Sequence, residues 1–321
     1  MEESWKKLIE EMQNGSLRAM TRLITRVENR EDGWLDAMEA IYRKGGNARV
    51  IGITGPPGAG KSTLVDGLTR NLVDSGFDVG IIAVDPSSPF SGGALLGDRL
   101  RMGKVTGLEG VFVRSMATRG ALGGLSQAAR DAVKIMDAFG KQIVLVETVG
   151  VGQDEVAVVK AADLVLVVCV PGMGDGIQAI KAGVMEIADI FVVNKADLDG
   201  ADQVVADIQA MLELGAGPSR PDVPVVKTSA ALGSGMDHLA AVMLERLESR
   251  QRDPEWVKRQ VKEEILVLLE KEIARHLRCG WERNGNLDRV VGQVMSGERD
   301  PYSFVKEVVE QFAQSCPEIR T

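Results

Sequence analysis

The most informative stretch of the sequence is RVIGITGPPGAGKSTLVDGLT, residues 49–69. A short run rich in Val and Ile leads into a glycine-rich loop, and apolar residues at helical spacing follow the loop. The loop fits the pattern G-x-x-x-x-G-K-[ST] in the strand–loop–helix context that the pattern needs. Its glycines let backbone N–H groups turn toward phosphate oxygens, and the positive end of the following helix attracts the same anion. The stretch therefore predicts a nucleoside triphosphate site that includes Gly58, Ala59, Gly60, Lys61, Ser62 and Thr63.

Short runs rich in Val and Ile recur through the middle of the chain. They are mostly continuous rather than alternating, which is typical of parallel strands covered by helices on both faces. Helical patterns lie between most of them. We therefore predict an α/β protein with a doubly wound, mostly parallel sheet, whose ligands bind beyond the carboxyl ends of the strands. After 49–54 the predicted strands are 79–85, 111–115, 143–148, 164–170, 190–195 and 223–229, and the predicted helices are 61–75, 121–139, 175–188, 201–214 and 235–250.

Helical patterns also flank this core on both sides. Residues 1–46 repeat apolar side chains at three- and four-residue spacing, and Ser16 is a candidate helix cap. Residues 251–321 carry a second helical pattern with an apolar stripe. We therefore divide the chain into an N-terminal helical extension (1–46), a P-loop domain (47–250) and a C-terminal helical arm (251–321).

Composition excludes several classes of protein. The 321 residues carry 38 basic and 46 acidic side chains, a net charge of −8, which argues against a general nucleic-acid binder. The three cysteines are too scattered for a zinc site or a disulfide framework. We find no apolar run of about 18 residues, the length that a membrane span needs, and no signal peptide. We expect a cytoplasmic protein with no membrane partner.

A tetrapeptide at the end of the 190–195 strand predicts which base is bound. Asn194-Lys195-Ala196-Asp197 resembles the NKxD motif of GTP-binding proteins. A carboxylate at Asp197 can accept hydrogen bonds from guanine N1–H and the 2-amino group, and adenine offers neither donor there. The stem of Lys195 can cover the purine face. At the next strand end we expect Ser229 and Ala230 to contribute, with a backbone N–H directed at guanine O6.

Several acidic residues stand at strand ends where a Mg²⁺ ion would bind. Glu147 ends the 143–148 strand three residues before Gly150, whose N–H could contact the γ-phosphate. Asp85 ends another strand, and Asp98 follows a glycine-rich stretch. Mg²⁺ prefers oxygen ligands and keeps several waters, so Ser62 with one or two of these carboxylates would suffice.

No glutamine directly follows Gly150, and Gln153 is a weak substitute for the usual water-positioning residue. We therefore expect slow intrinsic hydrolysis that awaits a partner. Residues 91–97 and 171–181 both follow strand ends and could sense the γ-phosphate. Lys181, in the second stretch, is a candidate catalytic or signalling charge, and an ordinary solvated helix residue is an equal alternative.

Seven segments together resemble one family, the MeaB/ArgK/MMAA family of G-protein chaperones that serve adenosylcobalamin-dependent acyl-CoA mutases. ETVGVGQ and RSMATRGALGG carry most of the specificity, and the likeness covers essentially the whole chain. The segments are ITGPPGAGKST, AVDPSS, GDRLRM, RSMATRGALGGLS, ETVGVGQ, VCVPGMGD and NKADL.

The resemblance implies hydrolysis of GTP to GDP, docking on a mutase of the methylmalonyl-CoA type, and control of cobalamin loading and repair. It implies a homodimer formed through the arm 251–321, and a third switch loop at 171–181. We predict catalytic roles for Lys61, Asp98, Glu147 and Lys181, of which the resemblance supports the first three. It assigns Mg²⁺ contacts to Ser62, Asp85, Asp98 and Glu147, and base contacts to Asn194, Lys195 and Asp197.

The sequence contains no cobalamin motif around its two histidines, His238 and His276, so we predict no directly bound cobalamin. Two other readings of the P-loop stay open. One is a P-loop kinase or ATPase, such as an amino-acid transport kinase. The other is a nickel-delivery GTPase, which the scarcity of His and Cys disfavours. The sequence does not say which acyl-CoA mutase is served.

Overall fold

The structure is a computed structural model that describes residues 2–85, 105–117, 127–148, 162–172, 188–215, 223–249, 254–283 and 285–315. The chain divides into two compact units, Met1–Asp253 and Pro254–Thr321. The N-terminal extension therefore belongs to the same compact unit as the P-loop domain. Residues 175–187 of the predicted helix 175–188 lie outside the described residues, as does the first part of the predicted helix 121–139.

A seven-stranded sheet forms the centre of the larger unit. Its strand order is β3-β2-β4-β1-β5-β6-β7, and every pair is parallel. This confirms the predicted doubly wound α/β fold. Strand β1 lies between β4 and β5, so its carboxyl end opens onto the middle of the edge where such sheets bind ligands. The strands are β1 (Arg49–Thr54), β2 (Val79–Asp85), β3 (Val111–Ala117), β4 (Ile143–Thr148), β5 (Leu164–Cys169), β6 (Ile190–Val193) and β7 (Val225–Lys227).

Helices cover the sheet because its strands are apolar on both faces. Every residue of β4, β5 and β6 is buried. One face packs against α4 (Lys61–Asp74) and α7 (Met236–Ser249), where Leu64 and Leu68 are fully buried. At β5 and β6 the opposite face packs against α6 (Ala201–Gly215). Burial of this kind contributes about 25 cal/mol per Å² of apolar surface.

The N-terminal extension forms three helices, α1 (Glu3–Gln13), α2 (Leu17–Glu28) and α3 (Trp34–Tyr42). The Ser16 side chain accepts a hydrogen bond from Ala19 N and caps α2, as the sequence predicted. All three helices contact α5 (Gln127–Phe139). Their buried apolar side chains, which include Trp5, Met20 and Leu23, make the extension part of the core.

Three strands are shorter than the sequence predicted. Strand β5 ends at Cys169, one residue before its predicted end. Strand β6 stops at Val193, and Lys195 then adopts a left-handed φ of 57° that takes the chain out of the extended conformation. Strand β7 covers only 225–227, since the residues that follow close a small loop through an isolated bridge between Ser229 and Ser234. The early ends of these strands occur where the chain turns into loops at the carboxyl edge, and β7 also begins two residues later than predicted.

The described residues of the smaller unit form three helices, α8 (Pro254–Arg283), α9 (Asn286–Met295) and α10 (Pro301–Ser315). Trp281 and Phe304 hold α8 and α10 together, with ring centroids 5.0 Å apart. Val261, Ile265 and Leu269 are exposed at four-residue spacing on α8. Within the described parts of the chain, no helix is long and apolar enough to cross a membrane.

Candidate active site

The phosphate loop joins β1 to α4 through two glycines that no other residue could replace without displacing neighbours. A Cβ at Gly55 would lie 2.3 Å from Val168 O, and a Cβ at Gly60 would lie 2.6 Å from Asn194 Nδ2. Both glycines also have positive φ, 145° and 84°. Side chains at these positions would therefore clash with β5 and with residues 194–197, the loop after β6 that carries the NKAD motif and that we call the base loop. They would also strain the backbone.

Lys61 is the first residue of α4, and its side chain folds back over the loop. Its ammonium Nζ donates to Gly55 O at 2.7 Å and to Pro56 O at 2.9 Å. Only 5% of the residue is exposed. The Lys61 ammonium is therefore a buried cation that the carbonyls of the phosphate loop position, and it can contact an anion that the same loop would surround.

Ser62 and Glu147 meet across the carboxyl ends of β1 and β4. Ser62 Oγ donates to Glu147 Oε1 at 2.7 Å. The β1–β4 register, which pairs Ile53 with Glu147, brings the carboxylate to the start of α4. A hydroxyl and a carboxylate are the oxygen donors that Mg²⁺ prefers, so the donor set at this point fits that ion.

The structure describes little of the other two predicted metal ligands, Asp85 and Asp98. Asp85 ends β2, paired with Ala117 of β3, and only its backbone is described. The described ranges contain no group of three or more His, Cys, Asp or Glu side chains that could hold a metal ion. Four predicted residues lie outside the described residues: Asp98, Gly150, Gln153 and Lys181.

Asn194 connects three loops at the carboxyl edge of the sheet. Its Nδ2 donates to Ala59 O at 2.8 Å, in the phosphate loop. Its Oδ1 accepts from Thr228 Oγ1 at 3.1 Å and from Ala230 N at 3.0 Å, in the loop after β7. The side chain is buried and uses both ends of its amide. It therefore sets the distance between the phosphate loop and the loops beside it.

The Asp197 carboxylate is exposed and is held from one side. Ser229 Oγ donates a short hydrogen bond to its Oδ1. Ser229 is itself buried and fixed by backbone hydrogen bonds with Ser234. Lys195 is also exposed, and its left-handed φ turns the chain between the strand and this carboxylate.

The sequence analysis missed one residue of this group, and for another the structure shows a different contact from the one expected. It gave Thr228 no role, although a threonine at a strand end beside a base loop is a usable signal. The N–H of Ala230, which we expected to face guanine O6, donates to Asn194 in this structure. The O6 contact of Ala230 stays a prediction.

Comparison with known proteins gives consistent results. A profile of the family "Methylmalonyl Co-A mutase-associated GTPase MeaB" matches residues 20–280. A Pyrococcus abyssi protein named "Putative GTPase" is 46% identical over 95% of this chain and 96% of its own length. The GTPase ArgK of Escherichia coli is 36% identical over 80% of this chain and 84% of its own.

The fold likeness extends over nearly the whole chain. A solved structure described as a LAO/AO transport system kinase covers 97% of this chain and 99% of its own, with a TM-score of 0.68 and 27% identity. Since the family profile spans most of the sequence and includes both the phosphate loop and the NKAD loop, this chain is a GTPase of the MeaB family.

Proposed function

We propose that this GTPase docks on an adenosylcobalamin-dependent acyl-CoA mutase of the methylmalonyl-CoA type. There it controls loading of the cobalamin cofactor and protects or reactivates the mutase. The observation that carries the proposal is the match of residues 20–280 to a family described by its association with that mutase. The cobalamin itself would stay with the partner, since we predict no cobalamin site in this chain.

For hydrolysis we assign Lys61 to the β- and γ-phosphates, and Ser62 with Glu147 to a Mg²⁺ ion. Support comes from the 2.7 Å contact between the hydroxyl and the carboxylate. When bound, Mg²⁺ neutralises charge on the phosphate oxygens. Lys61 would exchange the carbonyls of Gly55 and Pro56 for phosphate oxygens, which keeps its charge satisfied. Asp98 and Lys181 remain candidate catalytic residues, and Asp85 a candidate metal ligand.

For base selection we assign Asp197 to guanine N1–H and the 2-amino group. Ser229 holds the carboxylate in place, and Lys195 would cover the purine face. Asn194 supports both loops through its contacts with Ala59 and Thr228. The selection rests on two donors that guanine has and adenine lacks.

We further propose that the chain forms a homodimer through the arm 251–321. The exposed row of Val261, Ile265 and Leu269 on α8 supports this, because an apolar row in water is stabilised by burial against a partner. Size-exclusion chromatography with light scattering measures the oligomer directly. Ile265→Glu would yield monomers if α8 carries the interface, while the exposed Glu263→Gln is the matched control.

The mutase proposal is tested by a pull-down with the immobilised full-length chain. Methylmalonyl-CoA mutase should be retained more strongly with a non-hydrolysable GTP analogue than with GDP, and it should stimulate GTP turnover. The Lys61→Ala variant should lose turnover with and without the mutase. Equal failure to retain the mutase in both nucleotide states would contradict the docking proposal.

A kinase activity is the second candidate, because the solved relative is described as a transport system kinase. The two activities differ in where the γ-phosphoryl group goes. Release of inorganic phosphate in step with GDP, without an acceptor, is the result expected of a GTPase. Transfer of ³²P from labelled GTP to an amino acid or to a protein would favour the kinase.

A further inference from the structure

The turn after helix α2 carries two charged side chains that reach into the P-loop domain. Glu28 is the last residue of α2, and Arg30 follows two residues later. Each forms an ion pair with a different element of the domain. Helical extensions can be held by apolar packing alone, so two ion pairs from one short turn call for an explanation.

The first pair joins Glu28 to strand β3. Arg114 donates to Glu28 Oε2 at 2.7 Å. The side chains are only 14% and 10% exposed. Both charges have therefore lost most of their water, and the ion pair offsets part of that cost.

The second pair joins Arg30 to helix α5. Its Nη1 donates to Asp131 Oδ2 at 2.8 Å, and the aspartate side chain is 6% exposed. Gln127 Nε2 donates to the other oxygen of the same carboxylate at 3.0 Å. The Arg30 guanidinium also stacks 3.8 Å above the Trp34 ring, and the residue holds a left-handed φ of 54°. A non-glycine residue kept in that conformation indicates that the surrounding contacts determine it.

The two pairs hold specific points of the domain. Arg114 is the central residue of β3, three residues before the carboxyl end of the strand. Asp131 lies in the second turn of α5, which begins at Gln127. The middle of β3 and the second turn of α5 are thus tied to the end of α2 and the turn that follows it.

Attachment alone would not require these charges. Helix α2 already buries Met20, Leu23 and Val27, and apolar burial is strong but not directional. Buried ion pairs often add little net stability compared with apolar residues of the same size. What they do provide is direction, because charged hydrogen bonds are short and angle-dependent.

We propose that Glu28 and Arg30 are positioning residues for GTP turnover. Through Arg114 and Asp131 they fix β3 and α5 with respect to each other and to the carboxyl edge where the nucleotide binds. Misplacement of catalytic groups by about 1 Å can reduce turnover by roughly a hundredfold, so a small shift at this edge affects kcat. The proposal gives the N-terminal extension a part in the reaction.

The test is a double-mutant cycle on the full-length chain with Glu28→Gln, Arg114→Gln and both together. We expect each single change to lower kcat for GTP roughly fivefold or more, with KM changed less than about twofold. Because the two residues act as a pair, the double variant should be no slower than the slower single variant. Asp131→Asn, which keeps the shape of the side chain, should also lower kcat. Rates are measured well below the lowest melting temperature of the set.

The matched control is Arg26→Gln, which breaks the more exposed ion pair between Arg26 of α2 and Glu31 of the turn that follows it, and should leave kcat unchanged. A merely structural role predicts a different pattern. If Glu28→Gln and Asp131→Asn lower the melting temperature but leave kcat and KM within twofold of the parent, the proposal is overturned. Additive losses of kcat in the double variant would also overturn it, since the residues would then act separately.

Discussion

The amide of Asn194 and the carbonyl of Ala59 lie 2.8 Å apart, and this hydrogen bond joins the base loop to the phosphate loop. The residues are separated by 135 positions in the chain. The same side chain accepts two further hydrogen bonds from the loop after β7. One buried amide therefore controls the geometry of three loops at the carboxyl edge.

Replacing Asn194 by alanine should destabilise the fold and weaken GTP binding together. The change leaves Ala59 O, Thr228 Oγ1 and Ala230 N without their side-chain partner, and a buried polar group without a partner costs about 1–3 kcal/mol. Urea unfolding and titration with a fluorescent GTP analogue measure the two effects. Thr228→Val, which removes one contact of the three, should show a smaller change in both. Equal effects from the two variants would contradict the central role of Asn194.

Replacing Asp197 by asparagine should shift the base preference from guanine to xanthine. The carboxylate accepts from the two guanine donors, whereas an amide can donate to the 2-oxo group of xanthine. We expect a loss of GTP affinity of about 10²-fold or more and a gain for XTP, measured by calorimetry. Ser229→Ala should cost less, about 1 kcal/mol, because it removes only the hydrogen bond that holds the carboxylate. An unchanged preference in Asp197→Asn would contradict the base assignment.

Two glycines of the phosphate loop should respond differently to alanine. Gly58 and Gly60 both have positive φ, 77° and 84°, so both substitutions strain the backbone by about 1–2 kcal/mol. A Cβ at Gly60 would also lie 2.6 Å from Asn194 Nδ2, whereas a Cβ at Gly58 would meet no atom within 4 Å. Gly60→Ala should therefore lower the free energy of unfolding more than Gly58→Ala. Denaturant titration of both variants decides this order.

Burial should keep the Cys169 thiol unreactive in the folded protein. Desolvation raises its pKa from 9.0 to about 12. At pH 8 the thiolate is then negligible, and thiol reagents should react with it only after unfolding. A variant with Cys279→Ser and Cys316→Ser reports this residue alone in a labelling assay with and without urea.

The sign of the pH effect follows from the raised pKa. The Cys169 thiol ionises at a lower pH in the unfolded chain than in the folded protein. The contribution of the neutral, buried thiol to the free energy of unfolding is therefore complete below about pH 9 and is lost as the pH rises toward 12. Cys169→Ala should remove that part of the alkaline loss. If the native protein is labelled rapidly at pH 8 in the assay above, the Cys169 thiol is accessible, and the prediction of a raised pKa is wrong.

Acid should weaken the start of helix α10. Asp300 precedes the helix, and hydrogen bonds from the Ser303 side chain and backbone N–H lower the pKa of its carboxyl below 3.8. A lowered pKa means that the contribution is present above about pH 4 and is lost as the pH falls through the folded value. Asp300→Asn keeps an acceptor for Ser303 N but cannot titrate. Amide hydrogen exchange in 302–305 should therefore depend on pH less in the variant, after correction for intrinsic exchange rates.

Much of the fold could be read from contiguous stretches of sequence. The phosphate loop depends on glycines and a lysine next to one another, and strands buried on both faces show as unbroken runs of Val and Ile. The NKAD loop was recognisable because its residue types match the donors of guanine. These features depend on local backbone geometry and on the period of the side chains, which a linear sequence displays directly.

The long-range contacts were not readable in this way. Arg114 and Glu28 are 86 positions apart, and Arg30 and Asp131 are 101 apart. In the sequence each is an ordinary charged residue that a solvated surface would explain. Which of them pair, and which lose their water, depends on how α2 and α5 pack onto the sheet. The same holds for the Ala230 N–H, which donates to Asn194 in the loop after β6. Local patterns therefore identify the elements, whereas partners across elements follow from packing, because only the folded chain brings distant charges and amides within hydrogen-bond distance.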